Sequence, residues 1–97
     1  MIMSADMLQQ LEKIILDRKQ NPQVGSYTNR LFDEGIHKIA QKVGEEAVEV
    51  IVAALGQTRD LQIGELSDLF YHTLVLMAQL GISLDDVGAE LTRRHQK

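Results

Sequence analysis

The chain has no cysteine, no tryptophan, one proline, and only two tyrosines and two phenylalanines among its 97 residues. Without cysteine there is neither a disulfide framework nor a thiolate metal site, which fits a reducing compartment. So few aromatic side chains offer no platform for stacking bases, and 14 acidic against 10 basic residues leave a net charge of −4 that argues against nucleic-acid binding. No apolar run approaches the ~18 residues of a membrane span, and no charged segment followed by an apolar one opens the chain. The expectation is a cytoplasmic protein of one domain, residues 1–97, with neither membrane nor nucleic acid as partner. An acidic chain can still bind a polyphosphate, provided that metal ions and local Lys or Arg side chains offset the repulsion.

What the chain does have is helical periodicity. Ser4 is placed to cap a first helix to about Gln20, with Met7, Leu8, Leu11, Ile14 and Ile15 as its apolar stripe. Asn21 to Ser26 holds the only proline and reads as a loop. A second helix is expected from a Thr28 cap to about Leu55, with Gly35 a soft point and Ile36, Ile39, Ala40, Val43, Ala47, Val50, Ile51 and Ala54 on one face. Gly56 reads as its stop. A third helix, from about Asp60 to Leu80, is apolar around most of its circumference from Leu69 to Ala78, and such a helix needs cover on more than one side. Ser83-Leu84-Asp85-Asp86 resembles a capping box opening a last helix to about His95. Period-two alternation is missing throughout. The fold class is therefore all-α, a four-helix chain, and a partner subunit is the natural cover for the third helix, giving a dimeric helical bundle.

Two acidic motifs carry the chemistry. Glu46 and Glu49 stand three apart, as do Glu65 and Asp68. Side chains so spaced are neighbours on a helix, with Cβ atoms about 5–6 Å apart, and their like charges repel. A hard divalent cation between two such pairs reverses that balance. Both pairs adjoin apolar stripes, so antiparallel packing of the second and third helices would bring four carboxylates to one level. All-carboxylate ligation suits Mg2+ or Mn2+ better than Zn2+. Glu45 is turned about 100° from Glu46. Upstream, Lys38 and Lys42 stand four apart and Arg30 lies about two turns earlier, a basic stretch leading into an acidic one, as a metal–polyphosphate ligand requires.

Plainer readings use the same residues. Glu and Lys pairs are common on solvated helix faces and contribute only about 0.2–0.5 kcal/mol each. Lys38 and Lys42 serve equally as salt-bridge partners. His72, four after Asp68, either orients that carboxylate or is simply packed and hydrogen-bonded. Arg93 and Arg94 complement the last helix's dipole as well as they would a phosphate.

Several segments together resemble a known family. They are Ser26-Tyr27-Thr28, Leu31-Phe32, Gly35, the run from Lys38 through Lys42-Val43-Gly44-Glu45-Glu46 to Glu49, and Glu65-Leu66-Ser67-Asp68-Leu69-Phe70-Tyr71-His72. They look like the phosphoribosyl-ATP pyrophosphatases of histidine biosynthesis, and the likeness extends to Leu91–His95. The acidic pattern alone is shared by the wider all-α nucleotide pyrophosphohydrolase superfamily, while the Ser-Tyr-Thr segment and Lys-Val-Gly-Glu-Glu with the Asp-Leu-Phe-Tyr-His run carry the narrower likeness. The resemblance implies a Mg2+-dependent homodimer that hydrolyses phosphoribosyl-ATP to phosphoribosyl-AMP and pyrophosphate. It implies Glu46, Glu49, Glu65 and Asp68 as metal ligands, with Glu45 an auxiliary catalytic carboxylate beside Glu46 and Glu49. It also implies that Lys38, Lys42 and Arg30 contact phosphates and that Ser26, Tyr27 and Thr28 form a substrate loop. Two other functions fit the same pattern: a housekeeping hydrolase of dUTP or non-standard nucleoside triphosphates, and a non-catalytic helical dimerisation module.

Overall fold

The computed structural model describes residues 4–96, and the side chain of Ser4, the expected cap, lies outside what is described. Among the described residues there are five helices and no strand: α1 Ser4–Gln20, α2 Tyr27–Glu34, α3 Ile36–Gly56, α4 Arg59–Leu80 and α5 Leu84–His95. The all-α expectation holds, and the count of four is corrected to five because Gly35 ends one helix and begins another. Its backbone (φ 91°, ψ −178°) lies in a region open essentially to glycine alone. An unbroken helix from Thr28 to Leu55 would be roughly 42 Å long at 1.5 Å per residue. The longest dimension of the fold is 37 Å. The break folds α2 back toward α4.

A side chain at Gly35 would meet no atom within 4 Å, so its cost would be backbone strain alone. Gly35→Ala is expected to lose about 1–3 kcal/mol of unfolding free energy, read as a lower urea midpoint with an unchanged slope. An unchanged midpoint would mean that α2 and α3 tolerate another junction.

The helix ends follow local chemistry. Ser26, not Thr28, caps α2, its hydroxyl accepting from the Asn29 N–H at 3.2 Å. Helix α3 runs through Gly56 and is closed by Gln57, and Thr58 caps α4, leaving a two-residue link. Gly81 ends α4 in the left-handed conformation, φ 73°. The expected capping box opens α5: the Ser83 N–H donates to Asp86 at 2.9 Å and the Asp86 N–H to the Ser83 hydroxyl at 3.0 Å. Glu12 of α1 accepts from the Leu84 N–H at 2.7 Å, tying α1 to the start of α5.

The core is small and gathers Ile15, Leu31, Ile39, Leu74, Val75 and Ala78, with Leu8, Leu11, Phe32, Tyr71, Met77 and Leu84 packed on it. The longest seam is an antiparallel α3–α4 hairpin. Gln62 donates to the Ala53 carbonyl near the link, Glu65 meets Glu49 further along, and His72 lies beside Glu46 further still. The buried line of α3 is Ile39, Glu46 and Ala53, whereas Ile51, expected on the inner face, is exposed. A carboxylate therefore occupies a core position.

Candidate functional site

Glu46 is only 7% exposed, and Glu49 faces it one turn along α3. The α3–α4 hairpin brings Glu65 opposite. Carboxylate oxygens of Glu46, Glu49 and Glu65 lie within 4.8 Å of one another. Asp68, exposed on α4, stands outside this trio, yet its charge acts on both Glu46 and Glu65. Three of the four expected carboxylates thus converge, and the fourth borders them.

The cluster is electrostatically uncomfortable by itself. Burial pushes the Glu46 carboxyl above the ordinary carboxylate range, hydrogen bonding and repulsion from Glu49 and the charge of Asp68 add to this, and Lys42 opposes it. Glu65 is raised as well, first by hydrogen bonding with Glu49, then by burial and by the charges of Glu49, Asp68 and Glu46. Glu46 Oε2 and Glu65 Oε2 are buried with no hydrogen-bond partner. Buried polar atoms are rarely left so. Two orphaned carboxylate oxygens at the edge of an acidic trio fit a hard cation with oxygen ligands.

Glu45 points elsewhere, to Lys42 at 4.0 Å and to the Gln41 amide, which donates to it at 3.4 Å. A shallow hollow lined by Lys42, Glu45, Glu46, Val48 and Glu49 opens beside the trio. Lys42 stands at its rim, and Lys38 is half-buried one turn before. Arg30 lies over the ring of Tyr27, 5.3 Å from its centre. Arg93 and Arg94 are both hydrogen-bonded to Glu90, so in this chain they serve α5 itself.

The Ser26-Tyr27-Thr28 segment reaches α4 rather than hanging free. The Thr28 and Tyr71 hydroxyls are hydrogen-bonded, and the Tyr27 hydroxyl meets His72 Nε2 at 3.0 Å. The rings of Tyr27 and Tyr71 stack with centres 6.1 Å apart. His72 Nδ1 bonds the main-chain carbonyl of Asp68 at 2.8 Å, not its carboxylate. Sequence reasoning missed Asn29, which is buried, donates to the Arg18 carbonyl at 2.6 Å and accepts from the Gln23 N–H at 2.9 Å. It pins the loop to the end of α1. Its only signal was an amide on the inner side of a short helix.

Residues 8–95 match the family model described as phosphoribosyl-ATP pyrophosphohydrolase. The chain is 48% identical over 92 residues to a phosphoribosyl-ATP pyrophosphatase of Clostridium novyi, covering 95% of this chain and 84% of that one. It is 51% identical over 92 residues to one of Pyrobaculum islandicum, covering 95% and 98%. It is 50% identical to part of the histidine biosynthesis bifunctional protein HisIE of Lactococcus lactis, of whose length it spans 43%.

Proposed function

The chain belongs to the phosphoribosyl-ATP pyrophosphohydrolase family, and we propose from that premise that it hydrolyses phosphoribosyl-ATP to phosphoribosyl-AMP and pyrophosphate, with Mg2+ or Mn2+ as cofactor. The observation that carries the cation is the trio of Glu46, Glu49 and Glu65 with its two buried, unpartnered oxygens. These residues, joined by Asp68, would hold the metal. When bound, it neutralises phosphate oxygens and polarises phosphorus toward attack by water.

The side chains do the rest. Lys42, and Lys38 one turn back, bring positive charge to phosphate oxygens at the rim. Arg30 stands with Tyr27 at the loop end. Ser26 as the cap of α2, with Tyr27 and Thr28 held against His72 and Tyr71, would form the substrate-facing loop. Glu45, engaged with Lys42 and Gln41 at the edge of the hollow, would act as an auxiliary carboxylate once it turns from Lys42 toward a water or a further cation. The residues offer no cysteine and no Ser/His/acid set, so hydrolysis proceeds by direct attack without a covalent enzyme intermediate.

The active form on this reading is a homodimer. Val48, Ile51, Val52 and Leu55 make one exposed stripe of α3, and Ile63, Leu66 and Phe70 one of α4. Exposed apolar stripes of this length are the faces a second copy would cover.

Pyrophosphate release from phosphoribosyl-ATP tests the proposal. Turnover should require Mg2+ or Mn2+, stop with a chelator, and far exceed that on dUTP or ATP. Metal-independent release, or equal turnover of simple triphosphates, would overturn it.

A further inference from the structure

We propose that His72 is a positioning residue that couples Tyr27, at the start of α2, to Glu46 and Asp68, so that the order of the substrate loop and the affinity for the cation rise and fall together. The inference rests on the reading of the carboxylates as cation ligands.

Three helices meet at this ring. His72 is 6% exposed on α4. A carbonyl oxygen only accepts hydrogen bonds, so in the 2.8 Å contact with the Asp68 carbonyl the hydrogen is on Nδ1. In the singly protonated ring Nε2 then carries the lone pair, and the Tyr27 hydroxyl donates to it at 3.0 Å. The same Nδ1 edge lies 3.7 Å from Glu46 Oε1, too long for a hydrogen bond but close enough to form the wall against which that carboxylate rests.

The ring cannot turn freely. Tyr27 and Tyr71 both meet it edge-on, with centres 5.9 Å and 5.1 Å away. Tyr71 is in turn bonded to Thr28. Any shift of the 26–28 segment is therefore passed to His72, and a shift of His72 moves the wall beside Glu46 and its hold on the Asp68 turn. Outer partners that orient ligating carboxylates alter metal affinity on the order of 10–100-fold when removed. Coupling between two binding events is reciprocal, so a loop held by substrate would tighten the cation site and an occupied cation site would order the loop.

Direct Mn2+ titration by electron paramagnetic resonance, without substrate, tests this on the wild type, Tyr27→Phe, His72→Asn and the double variant. His72→Asn should weaken Mn2+ about tenfold. Tyr27→Phe keeps the aromatic ring and removes only the hydroxyl bonded to His72, so folding is not at stake. It should still weaken Mn2+ severalfold. The double variant should be no weaker than His72→Asn alone, because both changes cut one path. Unchanged Mn2+ affinity in Tyr27→Phe, with only a higher KM for phosphoribosyl-ATP, would overturn the relay and leave Tyr27 a plain substrate contact. A loss of thermal stability in His72→Asn at unchanged Mn2+ affinity would overturn it too, as would additive losses in the double variant. A wild type that binds Mn2+ but leaves phosphoribosyl-ATP intact would sink the substrate reading alone, and these titrations would still decide the relay.

Discussion

Replacing Glu49 with Gln is expected to lower metal-dependent turnover by about 10³-fold, the scale of losing a preorganised electrostatic group at a phosphoryl centre, while raising the melting temperature of the metal-free protein. Both effects come from one position. Glu49 sits between Glu46 and Glu65 and helps push both carboxyls upward. A neutral amide of the same shape removes that repulsion and, on the proposed function, one cation ligand together. The sign with pH follows from the raised Glu46 and Glu65 groups. Above their ordinary range but below their raised values, the folded state holds more protons than the unfolded one, so metal-free stability falls as pH rises through that window. The Glu49→Gln variant should fall less steeply. Thermal melts across pH with a chelator present, beside a pyrophosphate-release assay, measure all of this. Full activity in the variant would remove Glu49 from the site, and a lower metal-free melting temperature would show that the trio is not frustrated.

The other large expected effect concerns assembly. Ile51 is 59% exposed in the middle of the Val48–Leu55 stripe, so Ile51→Glu leaves the protomer fold untouched. In a two-fold dimer a residue of the shared patch is buried twice, once in each copy. An unpaired carboxylate forced into such a patch costs several kcal/mol. The dimer dissociation constant should rise by at least 10³-fold, roughly what ~4 kcal/mol implies, giving a monomer at micromolar concentration by light scattering with helical content unchanged. A wild type that is already monomeric there would dismiss the dimer altogether.

Local signals in the sequence were legible where the structure is local. Helices α1, α4 and α5 stand nearly where periodicity put them, and the Ser83–Asp86 box forms as its residues dictate. Gly35 was visible as a weak point, but its conformation depends on α2 docking against α4, which no short window contains. The choice of Ser26 over Thr28 as cap has the same origin: Thr28 is drawn to Tyr71, 43 residues away. Glu46 at a core position defies hydrophobic patterning, which assigns carboxylates to the outside. Its placement makes sense only with the opposing helix present. The Tyr27–His72 bond joins residues 45 apart and has no sequence signature at all. The family likeness marked both residues without saying that they touch.

The two-residue link Gln57–Thr58 has a consequence beyond closing the α3–α4 hairpin. Both acidic pairs are measured off from that corner, Glu49 backward along α3 and Glu65 forward along α4, like marks on the two arms of a folding ruler. One extra residue inside either arm would swing everything beyond it by about 100° and throw the marks out of alignment. Most surface connections drift in length without harm. This one acts as a gauge, and growth by insertion or fusion is cheapest outside the α3–α4 hairpin, where the calibration is left alone.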